Sequence, residues 1–266
     1  MKKTQWILLI AAFAISIAIY HSFDYVRAEK STDQVPEGAI AQQEVKESMI
    51  KAAFDNLTPE KRAKADSLIK IEDFLSLAAI FEKSNLYDAA VMSYVQAQKS
   101  LDKEIDLLFV GKKIVNSLKF LQVPVVKEQG TRVAKSIYDD LVKKDPNNAD
   151  YQIGLAGCYI EGLNDVMSGV NILKKVLEGE PKNIHANFQL GRLGIVSGQF
   201  DKAITRLEVV LEQDPKDIDA LLYMAEAYIS MNQNNNAVKY LQQAEPLITN
   251  VEVKEKINKY IKELIN

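Results

Sequence analysis

A small residue returns at a fixed interval through most of this chain, and that recurrence limits its fold more than any other feature. Ala90, Ala134, Gly169, Ala203 and Ala237 stand 44, 35, 34 and 34 residues apart. Other positions repeat in the same register. Four residues later come Tyr94, Tyr138, Leu173, Leu207 and Leu241, and seven later come Ala97, Leu141, Val176, Val210 and Ala244. Twelve residues earlier stand Ala78, Gly157, Gly191 and Ala225, and twelve later stand Pro146, Pro181 and Pro215. Large apolar residues at spacings of three and four mark one face of a helix. Proline can end one helix pair and open the next. Each unit therefore reads as two antiparallel helices. A small side chain on both lets them approach at the close end of the roughly 8–10 Å range of helix packing.

Composition agrees with helices and narrows the function. Of 266 residues, only 11 are Gly and 7 Pro, while 47% are hydrophobic. The 33 Lys and Arg are nearly balanced by 36 Asp and Glu, for a net charge of -3. A nucleic-acid binder normally carries a basic excess to meet the phosphates. Cys158 is the single cysteine, and the two histidines are His21 and His185. Neither a disulfide nor a four-ligand zinc site can form within such a chain. A hydrolase triad would have to use His185, because His21 borders an apolar segment. Gly111-Lys112-Lys113 lacks the earlier glycine and the hydroxyl of a phosphate-binding loop, and no GxGxxG or HExxH occurs. The paired acids Asp139-Asp140 and Glu178-Gly179-Glu180 fall near helix ends, where charges are solvated. No catalytic constellation, cofactor site or metal site emerges, so the chain is not expected to be an enzyme.

The N-terminus carries a different signal. Lys2 and Lys3 precede fifteen uncharged, mostly apolar residues from Trp6 to Tyr20. At ~1.5 Å per residue that run covers roughly 22 Å, and Thr4 to Phe23 reaches about 30 Å, the thickness of a bilayer core. Residues 1–23 are expected to anchor the chain in a membrane, with Trp6, Tyr20, Phe23 and Tyr25 at the interfaces. A cleaved signal peptide is the rival reading. The nearest small-residue site past the run, Val26-Arg27-Ala28, carries an Arg, and cutting at Ala12-Phe13-Ala14 inside it would leave an apolar end. Lys2, Lys3 and the amino group favour a cytoplasmic N-terminus, which places the repeats on the extracytoplasmic, periplasmic side. Residues 24–58 follow as a linker with a helical stretch, about 39 to 55. Thr58-Pro59-Glu60 then reads as a helix start, with Thr58 as N-cap and Pro59 at the first helical position. The repeat domain is expected over 59–251. Residues 252–266 are expected to form an amphipathic capping helix through Val253, Ile257, Tyr260, Ile261 and Leu264.

A 34-residue unit is the length of a tetratricopeptide repeat. Leu190-Gly191, then Gly198-Gln199-Phe200-Asp201-Lys202-Ala203, then Asp214-Pro215 strongly resembles that family, and the resemblance extends over roughly 71 to 251. It implies an all-α, right-handed superhelix, an α-solenoid of about five helix-turn-helix repeats. The 44-residue interval departs from the pattern. With Val110-Gly111 as the small position of its first helix, the second repeat holds about ten extra residues around Lys119 to Gly130. An extended helix followed by a loop is expected there.

In the family, the first helix of each pair lines a concave groove through defined positions. On this sequence those positions are Tyr151, Leu155, Cys158 and Glu161, then His185, Phe188, Gln189 and Arg192, then Asp219, Leu222, Tyr223 and Glu226. Phe188, Leu222 and Tyr223 would anchor apolar side chains of a partner segment, with Arg192 and Glu226 setting its charge. The bland alternative is that these rings pack against neighbouring helices. Some members bind a chaperone's terminal carboxylate through a clamp of Lys, Asn, Asn, Lys and Arg. Gly154, Cys158, Gln189, Asp219 and Tyr223 stand here instead, so that ligand is not expected. The reading is a membrane-anchored interaction scaffold or assembly factor that holds protein or peptide segments. At the level of layout it is similar to accessory subunits of translocation or envelope-assembly machinery. The alternative is a structural envelope protein that associates with copies of itself.

Overall fold

The computed structural model describes Val45 and residues 48–265. The membrane anchor expected at 1–23 and most of the 24–58 segment lie outside the described residues, although residues 48–55 are helical. Among the described residues there is no strand, and no helix is long and apolar enough to cross a membrane.

The chain forms two compact units. One comprises the described residues up to Asp102 with Phe120–Gly130, and the other comprises Lys103–Lys119 with the described residues from Thr131 onward. In the first, α1 (Pro59–Lys70) opens as its sequence requires. The Thr58 hydroxyl accepts the Lys61 N–H at 3.4 Å, and Pro59 sits where a missing N–H costs nothing. Helices α2 (Phe74–Glu82) and α3 (Tyr87–Ala97) then form the first hairpin. Residues Ala89 to Val95 are buried without interruption, so α3 is the centre of this unit. Phe54 meets Phe81 edge to face at 5.7 Å.

The second unit begins with α4 (Glu104–Ser117). The following α5 (Pro124–Lys144), 21 residues long, starts in the first unit and ends in the second. Here the expected extended helix and loop are corrected. A 3-10 turn, Leu118–Phe120, and three further residues suffice as the connection, and the extra length goes into α5. Pro124 starts that helix rather than breaking a loop, because its fixed φ suits a first helical position. The Asp88 carboxylate accepts the Gln122 and Val123 N–H groups at 3.2 and 3.0 Å and holds the connection short.

Three hairpins follow: α6 (Ala149–Gly157) with α7 (Val166–Gly179), α8 (Ile184–Val196) with α9 (Phe200–Gln213), and α10 (Ile218–Ser230) with α11 (Asn234–Ala244). Each recurring small residue is buried: Ala90, Ala134, Ala203 and Ala237 at 0% exposure, and Gly169 with them. The residues four and seven later are buried in every repeat. Close approach is the reason small side chains are needed. A Cβ on Gly191 would lie 2.9 Å from Leu207 Cγ, and one on Gly194 3.0 Å from Ala203 Cβ. A Cβ on Gly154 would fall within the ring of Tyr138.

The links between hairpins repeat down to single atoms. In Asp145–Asn148, Glu180–Asn183 and Asp214–Asp217 the last N–H donates to the first carbonyl at 3.3, 3.0 and 3.2 Å. That last residue then caps the next helix, with Asn148, Asn183 and Asp217 side chains accepting from Tyr151, Ala186 and Ala220 N–H groups. The turns inside hairpins also recur. Asn85, Asn164, Gly198 and Asn232 adopt positive φ of 56, 55, 73 and 59°. After Gly198 the Gln199 N–H returns to the Gly194 carbonyl at 2.7 Å, a Schellman closure. The helix before Asn164 ends differently, in the π-turn Cys158–Gly162, so Asp165 N–H reaches the more distant Tyr159 carbonyl at 2.9 Å.

Cores pass from one hairpin to the next. Leu173, Val176 and Leu177 pack with Ala186, and Leu207 and Val210 pack with Ala220 and Met224. At the far end α12 (Val251–Ile265) lays Ile261, Ile257 and Leu264 over Ala225, Val238 and Leu241. Val253 and Tyr260, also expected on the packed side, are 41% and 40% exposed.

Candidate functional site

Helices α6, α8 and α10 are the first helices of their hairpins, and each N-cap sets the direction in which its side chains leave the turn. Tyr151 is buried, and its hydroxyl donates to Glu104, whose other oxygen lies 3.6 Å from Lys144 Nζ. It therefore braces α4, α5 and α6 rather than offering a free ring. Leu155 is half-buried.

Cys158 corrects the expected groove. It is fully buried, in the π-turn that follows α6. Tyr138 lies against Gly154, and Lys135 Nζ sits 5.3 Å from the Tyr159 ring centre. Burial pushes the Cys158 thiol up to about 12, and the Asp139 carboxylate adds in the same direction. A protonated, enclosed thiol neither contacts a partner nor acts as a nucleophile.

The remaining positions converge. Phe188 and Tyr223 meet edge to face with ring centres 5.7 Å apart and planes at 66°. Both are half-buried against the Ile195–Leu207–Met224 cluster, so the packing role weighed from sequence is real and each ring still keeps part of its surface in water. Arg192 is not a free charge. It donates to Glu161, and its Nε and Nη2 reach Gln189 Oε1 at 3.3 and 3.1 Å. The Arg192 and Glu161 side chains are only 19% and 20% exposed. His185, Asp219 and Glu226 are exposed, while Leu222 turns toward the Ala225 cluster. Burial raises the Tyr223 hydroxyl above its ordinary value. Arg192 opposes that rise, while Asp219, Glu226 and Glu161 reinforce it. Three carboxylates thus act on one ring edge.

Two features escape the sequence reading. Ile105 and Phe109 on α4 are 68% and 48% exposed, with Lys113 Nζ 5.7 Å from the Phe109 ring. They precede Gly111 by the offsets that separate His185 and Gln189 from Gly191, so the register already pointed to them. The second is a cleft of about 920 Å³ in the first unit, lined by Met49, Ala52, Ala53, Leu86, Ala89 and Val123. It joins segments far apart in sequence, and nothing in the local pattern marks it. Among the described residues no three His, Cys, Asp or Glu side chains group as a metal site.

The sequence model of the tetratricopeptide repeat matches residues 168–217 and 195–254, which hold the last hairpins and most of this cluster. Residues 168–254 carry tetratricopeptide repeats. It is 31% identical over 154 residues to Lipopolysaccharide assembly protein B of Haemophilus influenzae, covering 56% of this chain and 38% of that protein. It is 23% identical over 243 residues to DnaJ homolog subfamily C member 3 of Rattus norvegicus, covering 86% of this chain and 48% of that one. The chain thus spans less than half the length of either curated relative. Among solved structures, a thermophilic TPR protein of Thermus thermophilus superposes with a TM-score of 0.53 at 16% identity, over 70% of this chain and 96% of that one. That likeness shows the helical-repeat fold.

Proposed function

We propose that this protein is a membrane-anchored scaffold that binds segments of partner proteins on the first-helix face of its repeats. The observation that carries the reading is the Phe188–Tyr223 pair, held rigid by packing and bordered by Asp219 and Glu226. Rigid aromatic anchors with a polar rim are what an interaction surface needs, and they supply no proton relay or nucleophile. Tetratricopeptide repeats are a protein-binding framework, and the likeness to Lipopolysaccharide assembly protein B supports a role in assembling an envelope component. The apolar run from Trp6 to Tyr20 supports tethering, with the repeats on the periplasmic side.

The test is photocrosslinking in cells from the exposed position 185, with and without a folded Phe188→Ala, Tyr223→Ala double substitution. The double variant is expected to lose partner recovery while keeping its helical circular dichroism. Undiminished recovery would remove this face from the function. Protease access from the outer side, with and without membrane disruption, tests the tether and its orientation.

A further inference from the structure

We propose that the α8–α10 face selects an extended protein segment that sets a Lys or Arg beside an aromatic or large aliphatic side chain. This rests on the protein-binding reading above and specifies its partner. The apolar half of the preference comes from Phe188 and Tyr223, whose edge-to-face contact leaves both rings partly in water. The basic half comes from an imbalance of charge around them. Arg192 is the cation on this face with the strongest claim to attract an acidic segment, yet its charge is already paired with Glu161, and its Nε and Nη2 donors are taken by Glu161 and Gln189. Asp219 and Glu226 are exposed and, among the described residues, have no salt-bridge partner. Both act on the Tyr223 hydroxyl against the opposing Arg192, which Glu161 already pairs, so the charges left unpaired beside that ring are negative.

A cationic side chain laid over Tyr223 gains the attraction of the ring face and of two unpaired carboxylates at once. An acidic side chain there meets those carboxylates with no free guanidinium to compensate. A short extended segment spans the distance, since successive residues advance ~3.3 Å and alternate side chains share one side. A second copy of this chain is the competing occupant, because α4 presents Lys112 and Lys113 beside Ile105 and Phe109.

The experiment uses the full chain and three fluorescein-labelled peptides of equal length on Gly/Ser spacers, bearing Lys with Phe, Glu with Phe, or Lys with Ser. Anisotropy titrations at low and high salt are expected to rank the Lys/Phe peptide first, roughly tenfold tighter than Glu/Phe at low salt and less so at high salt. Asp219→Asn with Glu226→Gln should bring the Lys/Phe and Glu/Phe peptides close to parity while keeping the advantage of Phe over Ser. Phe188→Ala should do the reverse. Circular dichroism confirms that the variants fold. Equal or tighter binding of Glu/Phe, an unchanged preference in the carboxylate variant, or no binding of any peptide at millimolar concentration overturns the proposal. So does self-association in sedimentation that the carboxylate variant abolishes, which would assign the face to a second copy. If crosslinking from position 185 still captures a partner while the Lys preference is absent, only the charge inference fails. Loss of both removes the groove reading as well.

Discussion

At the scale of single residues, two kinds of glycine do different work. Gly198 stands at φ 73° with nothing within 4 Å of where a Cβ would be, so its requirement is conformational and not steric. Gly198→Ala should lower unfolding stability by about 1 kcal/mol, and Gly198→Asn by less, because asparagine tolerates the left-handed region. Urea denaturation of the three proteins checks the order. The repeat offers its own control, since Asn85, Asn164 and Asn232 occupy the corresponding turns. Gly154 is steric: any Cβ there meets the Tyr138 ring inside a buried layer. Gly154→Ala should cost on the order of 2–3 kcal/mol through overpacking, whereas Gly179→Ala, in open space, should cost nothing. Cys158 gives a third expectation. With its thiol pushed up to about 12 and no exposed surface, it should resist a thiol reagent at pH 8 in the native protein. It should react at once in denaturant; rapid native labelling would show that its enclosure opens.

At the scale of elements, caps and turns set where helices begin. Asn183 and Asp217 each accept the N–H of the third residue of their helix, Ala186 and Ala220, so Asn183→Ala or Asp217→Ala should cost about 1 kcal/mol. Asp73 and Asp165 cap α2 and α7 the same way, and their hydrogen bonds with Ser76 and Ser168 hold both carboxyls below the usual range. A depressed native pKa contributes stability above the unfolded value of about 3.9, lost as pH falls through the native one. The urea midpoint should therefore fall below about pH 4, and less so in Asp165→Asn, which keeps the cap without the titration. α12 is bound by one face only, with Ile261 its one buried residue. Ending the chain at Asn250 would bare Val238 and Leu241, and an aggregation-prone, less stable protein is expected, read by light scattering during thermal unfolding.

At the scale of the molecule, repeats couple chiefly to their neighbours, so protection should be graded along the second unit. Amides of Ala203–Val210, between two filled core layers, should exchange hydrogen most slowly, and those of α12 among the fastest. Uniform exchange across α6–α12 would contradict nearest-neighbour coupling. How much of this was readable beforehand differs by feature. The buried positions at Ala90, Tyr94, Leu207 and Val210 were legible because one helix face repeats every few residues whatever the neighbours are. The turn asparagines and the cap at Asn183 act just as locally, but the register of small residues did not mark them. The extra residues at 119–130 were visible, but their shape was not, since Asp88 from a distant helix shortens the connection.

Sequence alone determined that helices pair, where their small residues fall and which side of each helix is apolar, because backbone geometry and side-chain size act within a turn or two. Only the tertiary structure decided which expected contact residues stay available. Cys158 was buried, Arg192 was neutralised by Glu161, and Asp219 and Glu226 kept their charge in water. Exposure and charge pairing depend on side chains from other helices arriving nearby, and no local pattern encodes which of them will arrive.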